Sequence, residues 1–428
     1  MRRMLLALTL CALGCGNTKL VSPGSDGRPA GDARLGGGLI DHVIVVVKEN
    51  HTFDNYFGKF PGADGATTAK LSDGTVIPLG HTPTVMTRDL CHKHPCALTA
   101  WDHGKMDGLD KVPKANDGGD HLAFTQYDEA DIPNYWAYAR RFVLADHAFA
   151  NVLGPSFPGH LFTIAAQAGW SIDNPSWDLP LTKWGCDDPG STTDDVLDNG
   201  QCDVLQVKPC FGFPTIPDVL PKGISWRFYG SRLPPLLGEV WSMFDAINAV
   251  RNGPHWKTDV VPEANFVKDV QAGTLPNVTW LVDQDLDSEH PPEVVCQGEN
   301  WTVDRLNAVM QSPLWKHTAI VITWDDWGGF YDHVPPPRQY GCDKDNPYGL
   351  GFRVPLLVVS PYAKRGYVMH GVAEQASIAR MIERIFDAPT LSSLDPAAQD
   401  GQANDLSDAF DFSQPPQEPL VLPHRDCL

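Results

Sequence analysis

The stretch "VIVVVKENHTFDNYFG", residues 43–58, decides the fold prediction. Its five opening apolar residues are followed directly by Lys48, Glu49 and Asn50. A continuous apolar run is typical of a strand buried on both faces of a parallel sheet, whereas an alternating run indicates one face in water. A carboxylate beside a carboxamide adds nothing to a hydrophobic core. The end of this strand is therefore a candidate metal or phosphate site.

Similar runs recur along the chain. Five more apolar, β-branched segments lie at 142–149, 224–230, 277–283, 319–326 and 353–361. Amphipathic helix candidates lie between or after them at 237–252, 300–316 and 374–387. This alternation predicts an α/β fold with a mostly parallel central sheet and helices on both faces.

Composition bounds the class of protein. The chain has 428 residues, of which 42% are hydrophobic and 20% are charged, so a large core is expected and global disorder is not. The formal net charge of −20 argues against nucleic acid as a partner, because phosphate attraction needs a basic surface. The charge does not indicate the substrate, since one metal ion overrides the global field locally.

The N-terminus predicts export. Arg2 and Arg3 precede a short apolar run that ends in "ALGCG", which predicts a signal peptide over 1–15 with Cys15 as a lipidated residue. An ordinary signal peptide cut nearby is the alternative. The expected location is the periplasm or, as a lipoprotein, the outer membrane or cell surface with membrane contact through the lipid anchor; secretion is the alternative. Residues 16–38 are expected to be a flexible tether.

Residues 39–428 are predicted to form one α/β domain with an insertion at about 171–222. That segment is rich in Pro, Gly and Asp and contains three cysteines. The polar tail after residue 388 is expected to wrap the surface, with Cys427 fixing it.

Eight cysteines remain beyond the N-terminal segment, an even number that suggests disulfides in an exported chain. Zinc ligation is the rival interpretation, but no C-x-x-C pair exists. The local pairs expected are Cys91 with Cys96 and two of Cys186, Cys202 and Cys210.

A second strand also ends in acids. The run at 319–326 closes with Asp325 and Asp326, and ligands of α/β sheets bind beyond the carboxyl ends of strands. Adjacent carboxylates repel each other unless a cation or a shared proton compensates. Oxygen ligands favour Mg²⁺, Ca²⁺ or Mn²⁺. The alternative is that both acids cap the following loop.

Ser156 stands in "GPSFPGHL" just before an apolar, helix-like run. A hydroxyl at a helix N-terminus lies in positive potential. To act as a nucleophile it needs activation by a base or a metal. A helix-capping serine is the alternative.

These stretches, with "DLCHKHPCALTAWDHGKMDG" (89–108), "GPHW" (253–256) and "DSEHPP" (287–292), resemble a family of bacterial phosphoesterases. That family holds the nonhaemolytic phospholipases C and related acid phosphatases, and is alkaline phosphatase-like in fold. The resemblance covers about 39–388. His51 and Thr52 stand where the family usually has Arg and Ser, and His160 where it often has Arg.

The resemblance implies a site that holds one divalent metal ion, with Ser156 as the nucleophile that forms a phosphoserine intermediate. Its expected metal ligands are Glu49, Asn50, Ser156, Asp325 and Asp326. Its expected phosphate contacts are Asn50, His92, His160, His255 and His290. Among the histidines, His92 is favoured as the acid that protonates the leaving group.

The function expected from this resemblance is an exported, metal-dependent, acid phosphatase-like phosphoesterase. The larger phospholipases of the family carry additional C-terminal β domains, and this chain ends soon after its last predicted helix. One alternative is a phospholipase C that cleaves phosphatidylcholine-type lipids. Another is a non-catalytic surface lipoprotein that binds a phosphorylated ligand. A sulfatase is disfavoured because no C-x-P-x-R segment is present.

Overall fold

The apolar run at 43–47 forms the strand around which the central sheet is built. The structure, a computed structural model, describes residues 34–176, 183–187, 190, 192–198, 203–231, 239–338, 341 and 348–427. Its strands are β1 His42–Lys48, β2 Thr68–Lys70, β3 Val76–Pro78, β4 Gly80–His81, β5 Thr125–Gln126, β6 Val143–Ala145, β7 Ala148–Phe149, β8 Asp194–Leu197, β9 Val204–Val207, β10 Trp226–Gly230, β11 Val260–Pro262, β12 Val278–Val282, β13 Thr318–Trp324, β14 Leu356–Val359, β15 Tyr367–Met369 and β16 Ala373–Glu374.

The α-helices in the described residues are α1 Phe53–Phe57, α2 His94–Trp101, α3 Pro133–Arg141, α4 Ser156–Ala165, α5 Ile216–Val219, α6 Asn248–Arg251, α7 His255–Thr258, α8 Phe266–Ala272, α9 Val295–Met310 and α10 Gln375–Phe386. None of the described helices is both long enough and apolar enough to cross a bilayer.

Eight strands form the central sheet in the order β11-β10-β12-β1-β13-β14-β6-β15. Neighbouring strands are parallel except at β14, which runs antiparallel to both β13 and β6. Each of the six apolar runs contributes a strand to this sheet, so the prediction of a mostly parallel α/β fold is confirmed.

Helices cover both faces of the sheet, as the pairing register shows. Trp280 is level with Val45 of β1, and Trp324 is level with Lys48, three residues further on. Because side chains alternate along a strand, the two tryptophans lie on opposite faces. Trp280 donates a 3.0 Å hydrogen bond to the Thr163 carbonyl of α4. Trp324 packs on a tyrosine ring of α3, with 5.2 Å between ring centroids.

The helix predicted over 237–252 is broken, and residues 237 and 238 lie outside the described part of the chain. The structure has 3-10 turns at Glu239–Trp241 and Met243–Ala246, followed by the short α6. Phe211 of the insertion forms a β-bridge with Ile247, whose φ of −102° and ψ of 107° are extended. Tertiary pairing therefore overrides the helical pattern at this point.

Disulfides occur where the sequence suggested them. Cys91 bonds to Cys96, and Cys186 bonds to Cys210 within the insertion. Cys202 and Cys342 lie outside the described residues.

The C-terminal tail is fixed along α9. Cys427 bonds to Cys296, the Trp315 indole donates to the Gln417 carbonyl at 3.0 Å, and Arg425 pairs with Glu299 at 2.8 Å. The expected wrapping of the tail over the surface, fixed by Cys427, is confirmed.

The buried centre of the sheet should dominate stability. Ile320 lies in β13 and is completely buried, so Ile320→Ala should lower the free energy of unfolding by about 2–5 kcal/mol. The control Val76→Ala, at a side chain that is 62% exposed, should change it by no more than about 0.5 kcal/mol. Chemical denaturation measures both, and equal losses would contradict the placement of the core.

Candidate active site

The candidate site lies where two neighbouring parallel strands end. β1 and β13 are paired up to Lys48 opposite Trp324, so the residues that follow, Glu49 and Asp325, leave the sheet side by side. The backbone N–H of Asn50 donates to Oδ1 of Asp325 at 2.8 Å. This hydrogen bond joins the two strand ends.

Left-handed backbone turns hold these strand ends together. Asn50 has a φ of 58°, and Gly328 has a φ of 59°. A Cβ atom on Gly328 would lie 2.2 Å from the Asn50 carbonyl oxygen, so only glycine fits there. The N–H of Asp326 donates to Oδ1 of Asp325 at 2.7 Å, and the N–H of Gly328 donates to Oδ1 of Asp326 at 2.6 Å.

Helix α4 brings Ser156 and His160 to the carboxylates. It packs closely because a Cβ atom on Gly159 would lie 2.4 Å from the Asp325 carbonyl oxygen. The Ser156 hydroxyl, in the first residue of the helix, donates to Oδ2 of Asp326 at 3.2 Å. His160 lies one turn further on, with Nε2 2.6 Å from a carboxylate oxygen of Glu49.

The three acids form a buried cluster of negative charge. Glu49 and Asp325 are completely buried, and Asp326 is 1% exposed. Burial and the neighbouring Asp325 carboxylate raise the pKa of Glu49 and that of Asp326 well above the ordinary range. Oε2 of Glu49 and Oδ2 of Asp325 have no hydrogen-bond partner among the described residues. The cluster therefore fits a bound cation.

The orientation of the Asn50 amide agrees with a cation. Its side-chain oxygen lies 3.1 and 3.3 Å from the carboxylate oxygens of Asp326, and its nitrogen lies 2.9 Å from Nε2 of His290. Acceptor oxygens at these distances repel unless the amide is turned or a cation lies between them. Nδ1 of His290 donates to the Pro291 carbonyl at 2.7 Å, so Nε2 is the ring nitrogen that faces Asn50. Either a turned amide, which then donates to Asp326, or a cation between Asn50 and Asp326 removes this repulsion.

A cavity of about 600 Å³ opens in front of Ser156. His92 and His290 line it, with ring centroids 5.5 Å apart and the rings edge to face. Trp241 extends the wall, 6.2 Å from the His290 ring. The charged side chains in the wall are Asp89, Lys93, Lys114, Asp285 and Glu293.

His92 is a cationic group on this wall. Its Nδ1 donates to the Leu90 carbonyl at 2.9 Å, which leaves Nε2 for a ligand. Burial by itself lowers the pKa of His92, but the carboxylates of Asp89 and Asp326 outweigh burial and raise it to about 10. Both ring nitrogens of His92 are therefore protonated at neutral pH, and the imidazole is cationic.

A second buried charge cluster, which the sequence did not reveal, includes Glu289, the residue before His290. Lys48 is fully buried and pairs with Asp283 and, at 3.5 Å, with Glu289. Glu289 also accepts hydrogen bonds from Tyr56 of α1 at 2.7 Å and from Tyr135 of α3 at 2.5 Å. The one available signal was a lysine at the end of an otherwise apolar strand.

The structure brings most, but not all, of the expected residues together. His255 lies on α7 with its side chain 56% exposed, and Nδ1 is 2.6 Å from Oδ2 of Asp259. Its described contacts do not include Ser156 or the three acids, so its role at phosphate stays a prediction. His160 contacts Glu49 and Asp325, and is not among the residues that line the cavity.

Buried acids around a serine hydroxyl, with histidines on the wall of the adjoining cavity, are typical of a hydrolase that acts on anionic esters. The sequence comparison agrees, because a profile of the Phosphoesterase family matches residues 40–389. The chain belongs to this family, and the expected enzyme class of phosphoric ester hydrolases is confirmed at the level of the family.

Two relatives carry names that indicate the chemistry of the group. The non-hemolytic phospholipase C of Pseudomonas aeruginosa is 29% identical over 89% of this chain. Phospholipase C A of Mycobacterium tuberculosis is 25% identical over 88% of this chain and 78% of its own length. The chain spans only 58% of the Pseudomonas relative.

A solved Vibrio parahaemolyticus protein of the alkaline phosphatase superfamily also matches, covering 82% of this chain and 67% of its own. Its TM-score is 0.36 and its identity 10%, a likeness too low to carry a structural argument.

Removing one buried charge should have opposite effects on the stability of the metal-free protein and on its stabilisation by metal. In chelator-treated protein, Asp325→Asn should raise the free energy of unfolding by on the order of 1 kcal/mol, because it relieves buried repulsion. Added Mn²⁺ at about one hundred times its Kd should stabilise the wild type by about 2.7 kcal/mol and the variant far less. Thermal unfolding with and without metal measures both effects.

The control for this comparison is Asp73→Asn, at an exposed aspartate whose carboxylate accepts a hydrogen bond from the backbone N–H of Thr75. It should respond to metal as the wild type does. An unchanged metal response in Asp325→Asn would contradict the proposed cation site.

Proposed function

We propose that the protein hydrolyses phosphate esters, with Ser156 as the nucleophile and a divalent cation held beside it. Glu49, Asn50, Asp325 and Asp326 would hold the cation together with the serine oxygen. The observation that carries the proposal is the position of Ser156, which lines the cavity while its hydroxyl donates to Asp326 of the buried acid cluster.

When bound, the cation would lower the pKa of the serine hydroxyl and offset the charge on the transferring phosphoryl group. Oγ of Ser156 attacks phosphorus, passes its proton to Asp326 and forms an O–P bond as the ester P–O bond breaks. Protonated His92 donates its proton to the departing alcohol oxygen. Water then attacks phosphorus and gives its proton to the deprotonated His92. The bond between phosphorus and the Ser156 oxygen breaks, Oγ recovers its proton from Asp326, and the phosphate product leaves.

His290 and Asn50 hold the phosphate oxygens in this mechanism. Their side chains contact each other at 2.9 Å, and His290 lies on the cavity wall opposite His92. Both are fixed by the surrounding structure before substrate arrives, so little reorganisation is needed in the transition state.

A phospholipase C-type phosphodiester is the substrate class we favour. The cavity volume of about 600 Å³ exceeds what a phosphate group alone needs. Trp241, Asp285 and Glu293 on its wall suit an organic, positively charged substituent. The names of the relatives point the same way. The acid phosphatase-like activity stays a prediction that the same assay tests.

We also infer that the protein is exported. The N-terminal signal pattern supports export, although residues 1–33 lie outside the described part of the chain. Three disulfides among the described residues agree, because such bonds persist in oxidising compartments. Lipidation of Cys15 stays a proposal from the sequence.

Ser156→Ala should abolish hydrolysis, with a loss of at least about 10³-fold in kcat, because no other group replaces the nucleophile. The assays are p-nitrophenyl phosphate and p-nitrophenylphosphorylcholine, each with and without chelator. Acid quenching during turnover should leave a phosphoryl adduct on the peptide that contains Ser156. The control Ser393→Ala, at an exposed serine, should retain wild-type rates.

The two esters separate the candidate functions. Faster turnover of the phosphorylcholine ester supports phospholipase C-type activity, and turnover of the monoester alone supports a phosphatase. No hydrolysis of either ester, with retained binding of phosphate, would instead support the non-catalytic binding protein.

His92→Gln tests the leaving-group acid. We expect a loss of about 10²–10⁴-fold with alkyl phosphate esters, whose leaving groups need a proton, and a much smaller loss with p-nitrophenyl esters. The matched variant His290→Gln should slow both classes equally, because it removes a phosphate contact. Equal losses in His92→Gln would contradict its role as the acid.

A further inference from the structure

His160 occupies a position in the acid cluster that hydrolysis by Ser156 does not itself require. Its side chain is 1% exposed. Nε2 lies 2.6 Å from Oε1 of Glu49 and 3.6 Å from Oδ2 of Asp325. One ligand atom from each of these three residues lies within 4.8 Å of the other two, as in a shared coordination sphere.

A proton on His160 alone does not satisfy this group. If Nε2 of His160 carries a proton, it donates one hydrogen bond to Oε1 of Glu49. The other Glu49 oxygen, Oε2, and Oδ2 of Asp325 remain buried without a partner among the described residues. One cation in place of that proton would be coordinated by the imidazole lone pair and by both carboxylates.

The helix fixes His160 on the same side as the nucleophile. Ser156 and His160 are four residues apart in α4, so they lie one above the other on one face. Gly159 allows the backbone of α4 to approach Asp325 closely. The packing that presents the hydroxyl to the acids therefore also presents the imidazole.

We propose that Nε2 of His160 is a further ligand of the catalytic cation, and that this nitrogen makes the site select a transition-metal ion over Mg²⁺ and Ca²⁺. The inference rests on the metal site of the proposed function and deepens it. Carboxylate and amide oxygens alone would suit Mg²⁺, Ca²⁺ or Mn²⁺, whereas an added imidazole favours ions such as Fe²⁺ and Zn²⁺ over Mg²⁺ and Ca²⁺. His160 is then a specificity-determining residue for the metal.

Pulsed electron paramagnetic resonance of the Mn²⁺-loaded full chain tests the ligand directly. The wild type should show coupling to one directly bonded nitrogen, and His160→Gln should lose it. His94→Gln is the matched control, since His94 is also a buried histidine but bonds to the Leu153 carbonyl away from the acids. Absence of the nitrogen coupling in the wild type, or failure to bind Mn²⁺, would overturn the inference.

Metal competition tests the selectivity. Wild-type protein dialysed against equal concentrations of Mg²⁺, Ca²⁺, Mn²⁺ and Zn²⁺ should retain mainly the transition ions by elemental analysis. In His160→Gln the ratio of transition ions to Mg²⁺ should fall by about 10–100-fold. An unchanged ratio would overturn the selectivity claim. Should the variant not fold, the absence of nitrogen coupling in the wild-type spectrum still overturns the inference.

The two proposals can fail separately. Hydrolysis by the wild type without nitrogen coupling overturns the role of His160 and leaves the proposed function intact. Nitrogen coupling without hydrolysis of either ester supports His160 as a ligand and overturns the proposed function.

Discussion

Buried carboxylates without a fixed counter-charge are the constraint on which this structure depends. Glu49, Asp325 and Asp326 meet at the ends of two neighbouring strands, where water does not reach them. Burying one such ion costs several kcal/mol unless an opposite charge compensates it. A divalent cation would offset two of these three negative charges, and it would also lower the pKa of the adjacent Ser156 hydroxyl, as a nucleophile requires. Both the stability of the buried acids and the reactivity of Ser156 therefore call for a cation at this site.

The alternation of side chains along β1 explains why two charge clusters exist. Lys48 and Glu49 are adjacent, so they point to opposite faces of the sheet. On one face, the protein supplies its own compensation, because Lys48 pairs with Asp283 and Glu289. On the other face, Glu49 meets other acids and an imidazole, with partnerless oxygens left over. A protein that neutralises one buried cluster internally leaves the other open for a ligand.

The sequence predicted most of the fold and the acid cluster because both follow from local signals. Continuous apolar runs mark parallel strands, and polar residues at their ends mark the functional edge. The prediction of a helix over 237–252 was wrong at its centre, because the backbone of Ile247 pairs with Phe211 of the insertion. No local sequence pattern encodes that contact. The contact between His160 and Glu49 could not be predicted from the sequence either. It depends on the close approach of α4 to Asp325, which only the tertiary structure reveals.

The central claim is that the two strand ends and α4 share one cation next to Ser156. A crystal soaked with vanadate, with anomalous scattering measured at the edge of the bound metal, tests it most directly. The account predicts one anomalous peak within coordinating distance of Glu49, Asn50, Asp325 and Asp326, with vanadate bonded to the Ser156 oxygen. A metal peak elsewhere, or vanadate bound away from Ser156, would contradict it.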